Sequence, residues 1–137
     1  MSNLNQDNLE FDQTIHKREQ LLELMNELTA IDKNVIETLK GLMKDRFNFL
    51  IQTFIDKTAT QLEELKTAIT DNNTANIISI THAIKGSSGS VGASGMHLLS
   101  KQYEDCARSG NFDTVDTWPA LLDTEYNRYK NEIQNFL

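Results

Sequence analysis

Helix breakers are scarce in this chain, and most of them stand together. Of 137 residues only one is proline and six are glycine. Four of those glycines, Gly86, Gly89, Gly92 and Gly95, fall within one ten-residue window. Proline and glycine penalise a helix interior most, by roughly 3 and 1 kcal/mol against alanine. A chain so poor in them reads as mostly helix. Their crowding marks the window where the backbone serves something besides helix formation.

Apolar spacing divides the chain into helical segments. The first is expected over about 7–29, with Phe11, Ile15, Leu22 and Met25 on one face. A short helix over about 33–44 follows, with Asp32 as N-cap and Val35, Ile36, Leu39, Leu42 and Met43 as its apolar face. A long helix over about 45–70 carries a stripe of Phe47, Leu50, Ile51, Phe54, Thr58, Leu65 and Ile69. After Asp71–Asn72–Asn73, Thr74 reads as the cap of a helix to about Ser88, and Gly89–Gly92 as a turn or a loosened helix end. Met96, Leu99, Tyr103 and Cys106 define a helix over about 93–109, closed by Gly110. The last helix, about 114–136, turns Val115, Trp118, Leu122, Tyr129, Ile133 and Phe136 inward. Pro119 belongs in its first turn, which makes Asp116 or Thr117 the cap. No segment alternates as a strand does. Short loops between long amphipathic helices imply an all-α, up-and-down antiparallel bundle.

Charge narrows the function. Acidic residues outnumber basic ones 20 to 13, for a net charge of −7. That argues against a nucleic-acid reader and against adsorption to an anionic membrane. No apolar run approaches the roughly 18 to 20 residues of a membrane span, and the N-terminus lacks the pattern of a secretory signal. The single cysteine, Cys106, allows no internal disulfide. These points favour a cytoplasmic setting.

The chemistry gathers around His82. On a helical wheel Ile77, Ile80, Ile84, Ser87 and Val91 point one way, while Ala75, Ile78, His82, Lys85, Gly86 and Gly89 point the other. The histidine therefore faces solvent or a partner, with a lysine and a glycine one turn on. A neutral imidazole has one nitrogen lone pair that can accept a phosphoryl group and pass it on. Phosphoryl transfer is mostly positioning and charge stabilisation. Lys85 supplies a cation, and Gly86 leaves the approach open.

The run His82-Ala-Ile-Lys-Gly-Ser-Ser-Gly-Ser-Val-Gly-Ala93 resembles the signature of histidine-containing phosphotransfer (HPt) domains. Met96, Leu99, Ser100, Tyr103, Glu104, Ala107, Arg108 and Gly110 fit the helix that follows in that family, and the likeness spans about 31–136. It implies a four-helix bundle with a short helix capping one end, over residues 31–137. Residues 1–30 exceed the minimal domain and read as an extension, either an extra N-terminal helix on the bundle or a mobile tail. The resemblance further implies that His82 is phosphorylated, with Lys85 as phosphate-side cation and Gly86 as access residue. Glu104, or else Gln102 or Lys101, would orient the imidazole. Its partners would be the receiver domains of a hybrid histidine kinase and of a response regulator. The protein would act as a monomer, without ATP-dependent kinase activity, cofactor or metal. The alternative is a helical adaptor that binds a receiver or kinase domain without being phosphorylated.

Other residues have plainer readings. His16 and His97 are structural or incidental, and no metal-ligand spacing joins His82 to His97. The run Gly89–Gly95 lacks the order of a nucleotide-binding loop. Cys106 reads as a small buried hydrophobe. Ser87 falls on the core side and Ser88 at its edge, where each could close helix backbone bonds or touch phosphate. Ile78 and Gly89 are expected on the docking surface. Phe49 points away from its stripe, either onto that surface or under the N-terminal segment.

Overall fold

The computed structural model describes residues 30–112 and 117–137. The expected helix over 7–29 lies outside them, as do Val115 and Asp116.

Five α-helices carry the described chain: α1 (Lys33–Met43), α2 (Phe47–Thr70), α3 (Thr74–Ser90), α4 (Ser94–Ser109) and α5 (Trp118–Ile133). Single 3₁₀ turns, Lys44–Arg46 and Gln134–Phe136, lead into α2 and follow α5. Each boundary has a local cause. Asp32 caps α1, its carboxylate accepting from the Asn34 and Val35 N–H groups at 3.0 and 3.3 Å. At the end of α2, Asn72 takes a left-handed conformation (φ 52), and the Asn73 N–H reaches back to the Ala68 carbonyl at 2.8 Å. The cap of α3 is Asn73 rather than Thr74, because its side chain accepts from the Asn76 N–H at 3.1 Å. Gly110 closes α4 at φ 75, and the Asn111 N–H bonds the Cys106 carbonyl at 3.0 Å. Pro119 sits in the first turn of α5 after Thr117, where its missing N–H costs nothing.

Helices α2 to α5 form the antiparallel four-helix bundle. Helix α2 packs on α3, α3 on α4, α4 on α5, and α5 returns to α2. Helix α1 covers the end where α3 turns into α4. There the Asp32 N–H donates to the Gly92 carbonyl at 2.8 Å. Gly92 is at φ 73, and a Cβ on it would press on the Ile36 side chain and the Asp32 carbonyl. Among the described residues, no helix is long and apolar enough to cross a membrane.

The core is contiguous. Phe47, Ile51 and Leu65 meet Ile77 and Ile84, Met96, Leu99 and Tyr103, and Leu122, Tyr129 and Ile133. Each such side chain contributes roughly 1.5–3 kcal/mol of hydrophobic free energy. Two tyrosine hydroxyls tie α5 to the rest of the bundle: Tyr129 Oη donates to the Val91 carbonyl at 3.0 Å, and Tyr126 Oη to the Ile55 carbonyl at 2.8 Å.

Several faces differ from the helical-wheel reading. Leu42 is 75% exposed, because only one side of α1 lies on the bundle, through Ile36. Cys106 is only partly buried. Ile55, Leu62 and Ala68 join the buried side of α2, since that helix serves two seams, against α3 and α5. On α3 the buried line is Ile77, Thr81, Ile84 and Ser88, so Ser88 is inside while Ser87 and Ile80 are half-buried. The wheel followed hydrophobicity. The real buried line mixes apolar Ile77 and Ile84 with Thr81 and Ser88, whose hydroxyls bond back to carbonyls of their own helix and so can be buried.

Candidate functional site

His82 leaves the bundle at the lip of the α3–α4 seam. Thr81 before it is fully buried and bonds back to the Ile77 carbonyl at 2.8 Å, and Ile84 after it is also buried. The helix therefore holds the imidazole at the rim, its side chain 63% exposed.

Facing it, α4 presents a buried carboxylate. Glu104 lies between buried Tyr103 and Ala107, with its side chain 3% exposed. It accepts from three side chains. His82 Nδ1 is 2.9 Å from Oε2, and Lys85 Nζ is 2.6 Å from Oε1. Arg108 reaches Oε2 through Nε at 3.1 Å and Nη2 at 2.9 Å. Burial alone pushes the Glu104 carboxyl up. The hydrogen bonds from Lys85, Arg108 and His82 outweigh that, and hold it down at about 2. It is thus ionised near neutral pH and acts only as an acceptor. The proton of neutral His82 must then sit on Nδ1, and the lone pair of Nε2 is left facing out. One carboxylate against two permanent cations makes the cluster net positive, within a chain of net charge −7.

The sequence candidates fall into place unevenly. Among the described residues, Glu104 is the side chain brought to His82; neither Gln102 nor Lys101 bonds it. Lys85 is not a free surface cation: its side chain is 29% exposed and tied to Glu104. Gly86 is exposed, and a Cβ there would meet nothing within 4 Å. Ile78 is half-buried one turn before His82. The space over Gly89 is taken by the ring of His97. Phe49 is 77% exposed on α2. The hydroxyls of Ser87 and Ser88 both close helix bonds to the Ile84 carbonyl. Sequence reasoning gave Arg108 no part in the site, although its position four residues after Glu104 on one helix is the signal that finds it.

The Hpt domain family model matches residues 50–135. The chain belongs to the Hpt domain family. As a member it has a histidine-phosphotransfer role in a phosphorelay. A crystal structure of histidine-containing phosphotransfer protein B (HptB) from Pseudomonas aeruginosa PAO1 has the same fold, with a TM-score of 0.69 and 26% identity. That match covers 77% of this chain and 96% of the other. No curated protein sequence matches.

Proposed function

We propose that this Hpt-domain protein relays a phosphoryl group through His82, from a receiver-domain aspartate of a hybrid histidine kinase to that of a response regulator. The observation that carries this reading is the exposed imidazole whose Nδ1 donates to ionised Glu104, because it leaves Nε2 as the free nucleophile. Nε2 attacks the phosphorus of an aspartyl phosphate. The N–P bond forms as the P–O bond to aspartate breaks, and its electron pair returns to the aspartate carboxylate. Nδ1 keeps its proton, and Glu104 offsets the positive charge the ring gains. The second aspartate then reverses the step.

Lys85 and Arg108 give the incoming phosphoryl oxygens a positive surface. Gly86 keeps the approach clear, and Ile78 offers an apolar edge for the receiver. Residues 31–137 form the transfer domain, and residues 1–30 an extension to it. We place the protein in the cytoplasm as a monomer, with the His82 face open to each receiver in turn and no kinase chemistry of its own.

Mixing the protein with a phosphorylated receiver tests the reading. Acid-labile phosphate should appear on the wild type and be absent from His82→Gln. The variant should keep its helical circular dichroism and lose no more than roughly 1.5 kcal/mol of stability, the scale of its one hydrogen bond to Glu104. A labelled His82→Gln refutes the assignment of His82. A receiver that binds without labelling the wild type identifies an adaptor instead.

A further inference from the structure

The turns of α3 that carry Lys85 are built from a poor helix sequence, Lys85-Gly86-Ser87-Ser88-Gly89-Ser90. Each glycine there costs roughly 1 kcal/mol against alanine, and serine is a weak helix former. The helix nevertheless runs to Ser90, with extra side-chain donors on three successive carbonyls. Ser88 Oγ is 2.5 Å from the Ile84 carbonyl and 3.2 Å from that of Lys85. Ser90 Oγ is 3.0 Å from the Gly86 carbonyl. These donors belong to α3 itself. The Lys85 carbonyl also takes one from α4: His97 Nδ1 at 2.8 Å.

The ring reaches that carbonyl because residue 89 has no side chain. A Cβ on Gly89 would stand 3.0 Å from His97 Nδ1 and 3.3 Å from Cε1. A carbonyl only accepts, so Nδ1 carries the hydrogen. His97 and Gly89 therefore act as one contact, a ring seated in a notch.

We propose that His97 is a positioning residue for phosphoryl transfer. Its bond to the Lys85 carbonyl, made through the Gly89 notch, holds the Lys85 turn of α3 against α4. The Lys85 ammonium is thereby kept at Glu104 and beside His82. The inference rests on the proposed roles of His82 and Lys85. Its physical basis is that transfer depends on placement, and a displacement of about 1 Å can cost a hundred-fold. A weak helical turn without the anchor would let Lys85 wander.

The test is single-turnover transfer from a phosphorylated receiver, measured against concentration to separate the maximal rate from half-saturation, with circular dichroism at the assay temperature. His97→Ala should lower the maximal rate by up to about ten-fold, less than a full misplacement costs, and leave half-saturation unchanged. His97→Gln, whose amide N–H can donate to the same carbonyl, should restore most of the rate. Gly89→Ala should cause the same loss, and none further in the His97→Ala background. Gly89→Ala also keeps the test open if His97→Ala fails to fold.

A wild-type maximal rate in folded His97→Ala overturns the proposal, even with a lower melting temperature, because the histidine is then only structural. A changed half-saturation that His97→Gln does not restore also overturns it, and makes His97 a docking contact. The wild-type control separates the two claims. Absent labelling of His82 removes the proposed function and this inference with it, whereas normal wild-type labelling beside unimpaired variants removes this inference alone.

Discussion

Replacing Gly86 separates the two reasons a helix can contain glycine. Gly86 lies inside α3, is not among the residues of positive φ, and has nothing within 4 Å of where a Cβ would stand. Neither backbone strain nor close packing requires glycine there. Gly86→Ala should therefore stabilise the protein by about 0.4–1 kcal/mol, through helix propensity and a less disordered unfolded chain. Gly86→Gln should gain nearly as much, since glutamine is also a good helix former. For a domain of this size that raises the melting temperature by about 2–5 °C. Transfer should move the other way. Side chains on a helix lean toward its N-terminus, so the introduced glutamine side chain would lie over the turn that holds His82. It would keep a receiver's aspartate from closing on Nε2, and the loss should reach about a hundred-fold. The assay is a melting curve beside a transfer time course from a phosphorylated receiver. A lower melting temperature would show that glycine is needed for the backbone after all. Normal transfer in a stabilised Gly86→Gln would show that partners do not approach over this face.

Three further outcomes are expected. Lys85→Ala should slow transfer about ten- to a hundred-fold, or roughly 1.4–2.7 kcal/mol of transition-state stabilisation; an unchanged rate at low salt would reduce Lys85 to a partner of Glu104. Glu104 has its folded carboxyl depressed from 4.5 to about 2, so its contribution is complete above pH 4.5 and is lost as the pH falls toward 2. Urea unfolding of the wild type and Glu104→Gln should show a stability gap that closes over that window, and a gap independent of pH would refute the ion cluster. Gly95→Ala should destabilise by about 1–3 kcal/mol, as overpacking does, because its Cβ would fall on the buried Glu125 carboxylate that Arg128 holds at 2.6 Å. Thermal melts should show the loss and its relief in a Glu125→Ala background; an equal loss in both backgrounds would exclude that clash.

Much of this protein is local, and local features are legible in sequence. Asp32, Gly110 and Pro119 mark helix boundaries because caps and breakers act within one turn of the chain. The outward face of His82, with Lys85 and Gly86 one turn on, follows from helical periodicity alone. So does the helical class of the chain, from its lack of breakers. What tertiary structure decided is every relation between helices. Periodicity gives a helix a face but not its neighbour's height along the seam. For that reason Glu104, Gln102 and Lys101 all stay candidates until α4 is set against α3. The approach of α3 to α4 put Ser88 inside, although a hydrophobic pattern counts serine as weak, while the seat of α1 on the bundle through Ile36 left Leu42 in water. The same approach brought His97 over Gly89, a contact between residues eight apart that no single-helix periodicity contains. It also set Glu104 among His82, Lys85 and Arg108, so the ionisation of its buried carboxyl belongs to the assembled bundle. Charge and shape converge on one carboxylate only when two helices are held side by side, and that is why the tautomer of His82 is a property of the fold.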